Sequence, residues 1–153
     1  MEGNKMVDLN FFDYPIKIVQ KDGEKYVFDP IRKKEIFLTP EEMVRQKILQ
    51  FLLIDQNISK GMIKVESGLK RMGMNKRTDI LVYSPDSSIF IIIECKSFKV
   101  PVNQSTFDQL SSYNQNFKSR YLMISNGRES FICAMDYEKN SLKFVNQFPA
   151  YQG

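Results

Sequence analysis

Two stretches, Thr78-Asp79-Ile80-Leu81-Val82-Tyr83 and Ile89-Phe90-Ile91-Ile92-Ile93-Glu94-Cys95-Lys96, decide the fold of this chain. Both are rich in β-branched and aromatic residues, and Ser84-Pro85-Asp86-Ser87-Ser88 between them is turn chemistry, so together they read as a β-hairpin. A turn centred near Asp86 makes opposed residue numbers sum to about 172–173, which sets Asp79 across from Ile93 or Glu94. The run 89–93 is apolar on both faces, the pattern of a central strand covered on both sides. Glu94 and Lys96 are two apart and share a face. Cys95 between them points into the core and leaves its carbonyl nearby.

Working outward, residues 62–67 form a further short strand before this hairpin. Thr39-Pro40-Glu41-Glu42 starts a helix, with Thr39 as N-cap, Pro40 at the first helical position and Glu42 at the capping-box position. Val44, Ile48, Phe51 and Leu52 repeat at helical spacing, so the helix runs to about Asp55. Beyond Pro101, Ser105-Thr106-Phe107-Asp108 is a second capping-box pattern, and Phe107, Leu110 and Phe117 carry a helix over about 105–118. Strand 121–125, an Asn126-Gly127 turn and strand 131–135 follow, with 142–145 as an edge strand. Residues 1–15 read as an irregular arm packing through Phe11, Phe12 and Tyr14, and 16–19 with 26–28 flank Lys21-Asp22-Gly23-Glu24 as a hairpin. The order helix, three strands, helix, strand predicts an α/β sandwich around a mixed sheet. One domain is expected: arm and β-hairpin over 1–38, core over 39–146, tail over 147–153.

Composition narrows the chemistry. The 153 residues carry 22 Lys plus Arg against 18 Asp plus Glu, a formal charge of +4, with no histidine and no tryptophan. Imidazole-dependent hydrolysis, His-ligated zinc and histidine proton shuttles are therefore excluded. A chain of this size buries about 68–70% of its unfolded surface, enough for one real core. No apolar run approaches the roughly 20 residues of a membrane span, and Met1-Glu2-Gly3-Asn4-Lys5 lacks a signal-peptide core, so a cytoplasmic location is expected. Cys95 and Cys133 lie in apolar segments without CxxC spacing and read as reduced, buried thiols.

What remains is carboxylate and lysine chemistry. Asp79, Glu94 and the Cys95 carbonyl are hard oxygen donors that suit Mg²⁺, with Mn²⁺ as a substitute, and such a cation keeps waters and room for substrate phosphate oxygens. Lys96 beside them can orient an attacking water and stabilise charge developing on phosphorus. The competing reading is a solvated strand end where Glu94 and Lys96 form a surface ion pair worth little.

Asp79 followed across a hairpin by Glu94-x-Lys96 resembles the PD-(D/E)XK nuclease superfamily, whose core is helix, three strands, helix, strand. Thr39-Pro40-Glu41-Glu42-x-Val44-Arg45-Gln46, the Asp79 strand, Ile93-Glu94-Cys95-Lys96, Gln109-x-x-x-Tyr113 and Ser125-Asn126-Gly127 are similar, in that order over about 30–130, to the N-terminal nuclease domain of type I restriction enzyme R (HsdR) proteins. The resemblance implies a restriction-endonuclease-like sandwich and a Mg²⁺-dependent DNA endonuclease of a restriction system. It implies Asp79 and Glu94 as metal ligands and Lys96 as the catalytic lysine. Gln109 and Tyr113 match the glutamine-x-x-x-tyrosine motif and share a helix face that can reach the DNA backbone; Tyr113 also fits a core face with Phe107 and Leu110. Glu42 matches a first-helix acid aimed at the metals, and equally a capping-box glutamate bonding back to the Thr39 amide. Arg45 is expected to pair with a carboxylate or phosphate. Glu66, ending its strand, is a further acidic candidate or a solvated strand end.

Departures from the resemblance bear on function. Relatives continue into an ATP-driven motor, whereas no GxxxxGK[ST] loop is present here, so a stand-alone or excised domain is expected, with any motor or other restriction subunit in trans. Ser97-Phe98 stands where many relatives have a small residue and proline. Lys70-Arg71 and Lys76-Arg77 flank the approach to Asp79 and are candidate phosphate contacts, while Arg32-Lys33-Lys34 precedes the first helix. The alternative function is a nuclease-fold module that binds nucleic acid or a protein partner without cutting. The intact Asp79, Glu94 and Lys96 speak against it.

Overall fold

The chain forms nine strands and two principal helices in a computed structural model that describes residues 6–68, 77–114 and 117–152. Six strands make one mixed sheet in the order β4-β5-β6-β7-β8-β9: Ile63–Gly68, Arg77–Tyr83, Ile89–Cys95, Tyr121–Ser125, Ser130–Asp136 and Ser141–Val145. Only the β6–β7 pairing is parallel, because that connection alone contains a crossover helix, α2 (Gln104–Asn114). Helix α1 (Pro40–Gln50) continues into one π-helical turn, Phe51–Asp55, so the helical path reaches the expected residue with a wider last turn.

Alternation along β5 and β6 sorts the core into two layers. Ile80, Val82, Ile91 and Ile93 face Val44, Ile48 and Leu52 of the first helical segment. Leu81 and Ile92 face the other way, under Phe107 and Leu110 of α2. Each of these isoleucines is fully buried, and each contributes about 1.5–3 kcal/mol by leaving water. The sandwich of helix, sheet and helix is therefore the arrangement in which a strand as apolar as β6 leaves neither face wet. Cys95 and Cys133 are buried, unlinked thiols.

The N-terminal segment differs from a hairpin. Strands β1 (Ile18–Lys21), β2 (Glu24–Asp29) and β3 (Lys34–Phe37) form a three-stranded antiparallel sheet. Asp22 and Gly23 both take positive φ, the geometry that a two-residue hairpin turn with right-handed strand twist requires. The third strand hides in sequence behind the charge run Arg32-Lys33-Lys34, whose last residue pairs with Asp29. Ahead of this sheet, buried Phe11 packs edge-on against Phe51 at 5.3 Å, as the arm was expected to do, and Tyr14 does the same at 6.0 Å. The side chain of Phe12 lies outside the described residues.

Helix α2 also starts earlier than its capping-box pattern implies. Asn103 Oδ1 accepts from the Thr106 amide at 2.9 Å, so Asn103 is the cap and Ser105 lies inside the helix. An asparagine two residues upstream competes well, since it ranks with serine as an N-cap. No described helix is long and apolar enough to cross a membrane.

Candidate active site

The register of the β5–β6 hairpin places the acidic residues. Ile80 pairs with Ile93, Leu81 with Ile92 and Val82 with Ile91, and a bulge at Val82/Tyr83 absorbs one residue at the turn. Continued by one step, this register sets Asp79 opposite Glu94 at the open end of the hairpin, where Asp79 meets Arg45 of α1. The Asp79 carboxylate, bonded to the Cys95 amide, lies beside Glu94, close enough for its charge to act on the Glu94 carboxyl. Lys96 Nζ lies 3.6 Å from Glu94 Oε1. The Lys96 amide donates to Ser125 O at 2.8 Å, so β7 holds the triplet's backbone one residue past the strand end.

Asp79 is anchored from two sides. Its Oδ2 accepts the Cys95 amide at 2.7 Å, and its Oδ1 accepts Arg45 Nη2 at 2.8 Å. The first bond shows that Cys95 turns its main-chain groups toward β5, which leaves its carbonyl on the same edge as the acids. Each Asp79 oxygen retains a further lone pair.

Helix α1 supplies two adjacent glutamates with different fates. Glu42 is buried; its Oε1 accepts Arg45 Nη1 at 2.5 Å, and its Oε2 accepts Arg32 Nη2 at 2.8 Å and Gln46 Nε2 at 3.0 Å. The Thr39 hydroxyl accepts the Glu42 amide at 3.0 Å, but the Glu42 side chain does not return to the Thr39 amide; it serves the arginines instead. Glu41, whose side chain is 48% exposed against 5% for Glu42, is the first-helix acid that faces Asp79 and Lys96. Burial and then the Asp79 charge push its carboxyl up, against the relief of Arg45 and Lys96. The sequence signal for Glu41 is the same Pro-Glu-Glu, since neighbouring helical residues point about 100° apart and only one can aim at the strand ends.

Electrostatics marks the corner as short of positive charge. Burial first, and then the Asp79 charge, push Glu94 up to about 7, although Lys96 offsets part of this. Arg45, despite its burial, is held protonated by Glu42 and Asp79. Among the described residues, no three acidic or cysteine side chains are grouped to hold a metal by themselves. Two carboxylates with one carbonyl is instead the donor set of a hard cation that keeps several waters, and the excess charge on Asp79 and Glu94 is what such a cation would neutralise.

A pH dependence follows. A native carboxyl raised from 4.5 to about 7 keeps its proton where the unfolded chain has lost it, so its stabilising contribution is greatest at low pH and is lost as pH rises through that window. In chelator, melting temperature should fall between pH 5 and pH 8, by the equivalent of about 3 kcal/mol at most. Glu94→Gln should flatten the profile; a wild-type profile already flat would show that the carboxyls are not coupled.

The other expected residues divide. Gln109 lies on the exposed side of α2, and no described hydrogen bond joins it to Asp79, Glu94 or Lys96. Lys70, Arg71 and Lys76 lie outside the described residues, as do the side chains of Glu66, Arg77 and Tyr113. Ser125 and Asn126 are buried, with the Ser125 hydroxyl 2.7 Å from that of Ser130, and Asn126 Oδ1 accepting the Glu129 amide at 2.7 Å. They shape the turn after β7 that supports Lys96.

No curated protein and no solved structure matches the chain. One protein family does: residues 40–149, from the first residue of α1 to past the end of β9, match the family described as type I restriction enzyme R protein N terminus (HSDR_N). With the core order, the hairpin register and the acidic corner all lying inside that match, the chain belongs to the type I restriction enzyme R protein N-terminal family, nuclease-like domains of restriction enzymes.

Proposed function

We propose that this chain is a metal-dependent DNA endonuclease domain that hydrolyses phosphodiester bonds at the corner formed by Asp79, Glu94 and Lys96. The observation that carries the reading is the meeting of two carboxyls and a lysine, from separate strands, at one end of a hairpin. Asp79, Glu94 and the Cys95 carbonyl would hold a Mg²⁺ or Mn²⁺ ion, which would supply charge stabilisation on the phosphoryl oxygens and a more acidic bound water. Lys96, at the mouth of the corner, donates toward the attacking water and the phosphate, orienting the one and stabilising charge on the other. The water oxygen bonds to phosphorus as the bridging P–O bond breaks; the attacking water gives up one proton to the surrounding water, and the departing oxygen takes one from it. Arg45 holds Asp79 in place. Glu41, facing Asp79 and Lys96, is a further acid available to the water shell. Gln109 and Tyr113, with the basic segment from Lys70 to Arg77, are proposed to contact DNA. A motor or other restriction subunit would act in trans.

The direct test incubates supercoiled plasmid with the protein and Mg²⁺, with and without excess chelator. Nicked or linear product that disappears in chelator is expected. Product formed equally in chelator would remove the metal from the proposal.

A further inference from the structure

A second charged feature borders the buried ion pairs of α1 through Arg32. The turn between β2 and β3 and the start of β4 enclose a cleft of about 320 Å³, lined by Arg32, Lys33, Lys60 and Lys64 among nine residues, none of them acidic. These cations come from segments about 30 residues apart, so the sequence alone does not assemble them.

The turn is built, not loose. Asp29 is fully buried; its Oδ1 accepts the Ile31 and Arg32 amides, each at 2.7 Å, and its Oδ2 accepts Arg32 Nε at 2.7 Å and Gln46 Nε2 at 2.8 Å. The Lys33 amide donates to Asp29 O at 2.8 Å. Arg32 thus spends its charge on Asp29 and Glu42 and serves as the wall. Lys33, Lys60 and Lys64 are exposed, and among the described residues none has an acidic partner. Three exposed ammonium groups around one small cleft raise the local positive potential, which attracts a polyanion more strongly than a single counterion.

The position favours a nucleic-acid backbone. β4 is the edge strand beside β5, with Val65 paired to Ile80, the neighbour of Asp79. The cleft wall reaches the acidic corner through Arg32, Glu42, Arg45 and Asp79, a continuous chain of ion pairs. A DNA strand whose scissile phosphate sits at Asp79 and Glu94 would carry its next phosphates along β4.

We propose that this cleft binds the sugar–phosphate backbone of duplex DNA on one side of the cleavage site through Lys33, Lys60 and Lys64, without reading bases. The proposal rests on the nuclease reading above. It is tested by fluorescence anisotropy of a labelled random-sequence duplex, in chelator, across a salt series. The triple variant Lys33→Gln, Lys60→Gln, Lys64→Gln should lower the slope of log affinity against log salt by about 2–3, since each neutralised phosphate contributes about 0.9. A control triple in the loop before β7, the β8–β9 turn and β9, Lys118→Gln, Lys139→Gln, Lys143→Gln, matches the charge change and should move the slope by less than about 1. Equal losses in the two triples, or an unchanged slope in the first, would overturn the cleft while leaving the nuclease reading intact if wild type still cuts plasmid. A lysine-dependent slope in a wild type that never cuts would support the cleft and sink the nuclease reading. Tighter lysine-dependent binding of a polyglutamate peptide than of the duplex would reassign the cleft to a protein partner.

Discussion

Lys96→Ala is expected to lower Mg²⁺-supported plasmid cleavage by about 10²–10³-fold, the usual loss when one aimed donor is removed from a developing charge, while barely changing the fold. The side chain is 35% exposed, and its described partner is Glu94 Oε1 at 3.6 Å. A partly exposed pair of this kind is worth about 0–1 kcal/mol, so the melting temperature should move by no more than a few degrees. That separation of rate from stability makes Lys96 the cleanest probe of the corner. Asp79→Ala should also abolish cleavage, but it withdraws the acceptor from Arg45 and from the Cys95 amide together. Its loss of activity must therefore be read beside its melting curve, at a temperature where the variant remains folded. Near-wild-type cleavage by either variant would remove the proposed site. No cleavage by wild type, with duplex still bound, would leave the binding module as the reading.

The site was legible in sequence to the extent that local rules determine it. Strand alternation and the turn at Asp86 are short-range, and they are enough to bring Asp79 to Glu94 and to turn Cys95 away from Lys96. What escaped depends on tertiary contacts. Glu41 and Glu42 are adjacent and chemically alike, and only the packing of α1 against Arg32 of the N-terminal turn decides which of them is buried. Asp29 bonds its own turn locally, but nothing local marks it as fully buried, because Gln46 reaches it only once β2 docks on α1. The same docking explains β3. Its Lys-Glu-Ile-Phe reads as the tail of a charge run until a neighbouring strand supplies the other half of the ladder.

Arg45→Met is expected to destabilise the protein by about 3 kcal/mol, at the low end of the 3–5 kcal/mol usual for breaking a buried ion pair. The reason lies in what each acid keeps. Without the guanidinium, Glu42 retains Arg32 and Gln46 on Oε2, and Asp79 retains the Cys95 amide on Oδ2. Neither becomes an isolated buried charge, but each loses the partner of its other oxygen, at 2.5 Å from Glu42 and 2.8 Å from Asp79. Methionine fills most of the vacated volume, so the loss is electrostatic more than a cavity. Against a total stability of about 5–15 kcal/mol, a loss of this size should show as a clear drop in urea midpoint without a change in slope. Adding Glu42→Gln should restore about 1 kcal/mol or more, because a neutral amide tolerates the missing cation. An additive double variant would mean that Arg45 and Glu42 do not act as a pair. Divalent cation offers a second readout: with Arg45 gone, Asp79 and Glu94 carry more uncompensated charge, so Mg²⁺ should raise the melting temperature of Arg45→Met by more than that of wild type. An equal or smaller rise would mean that the hold of Arg45 on Asp79 outweighs its competition with the cation for charge, and a cleavage defect larger than the stability loss would then be expected from the same variant.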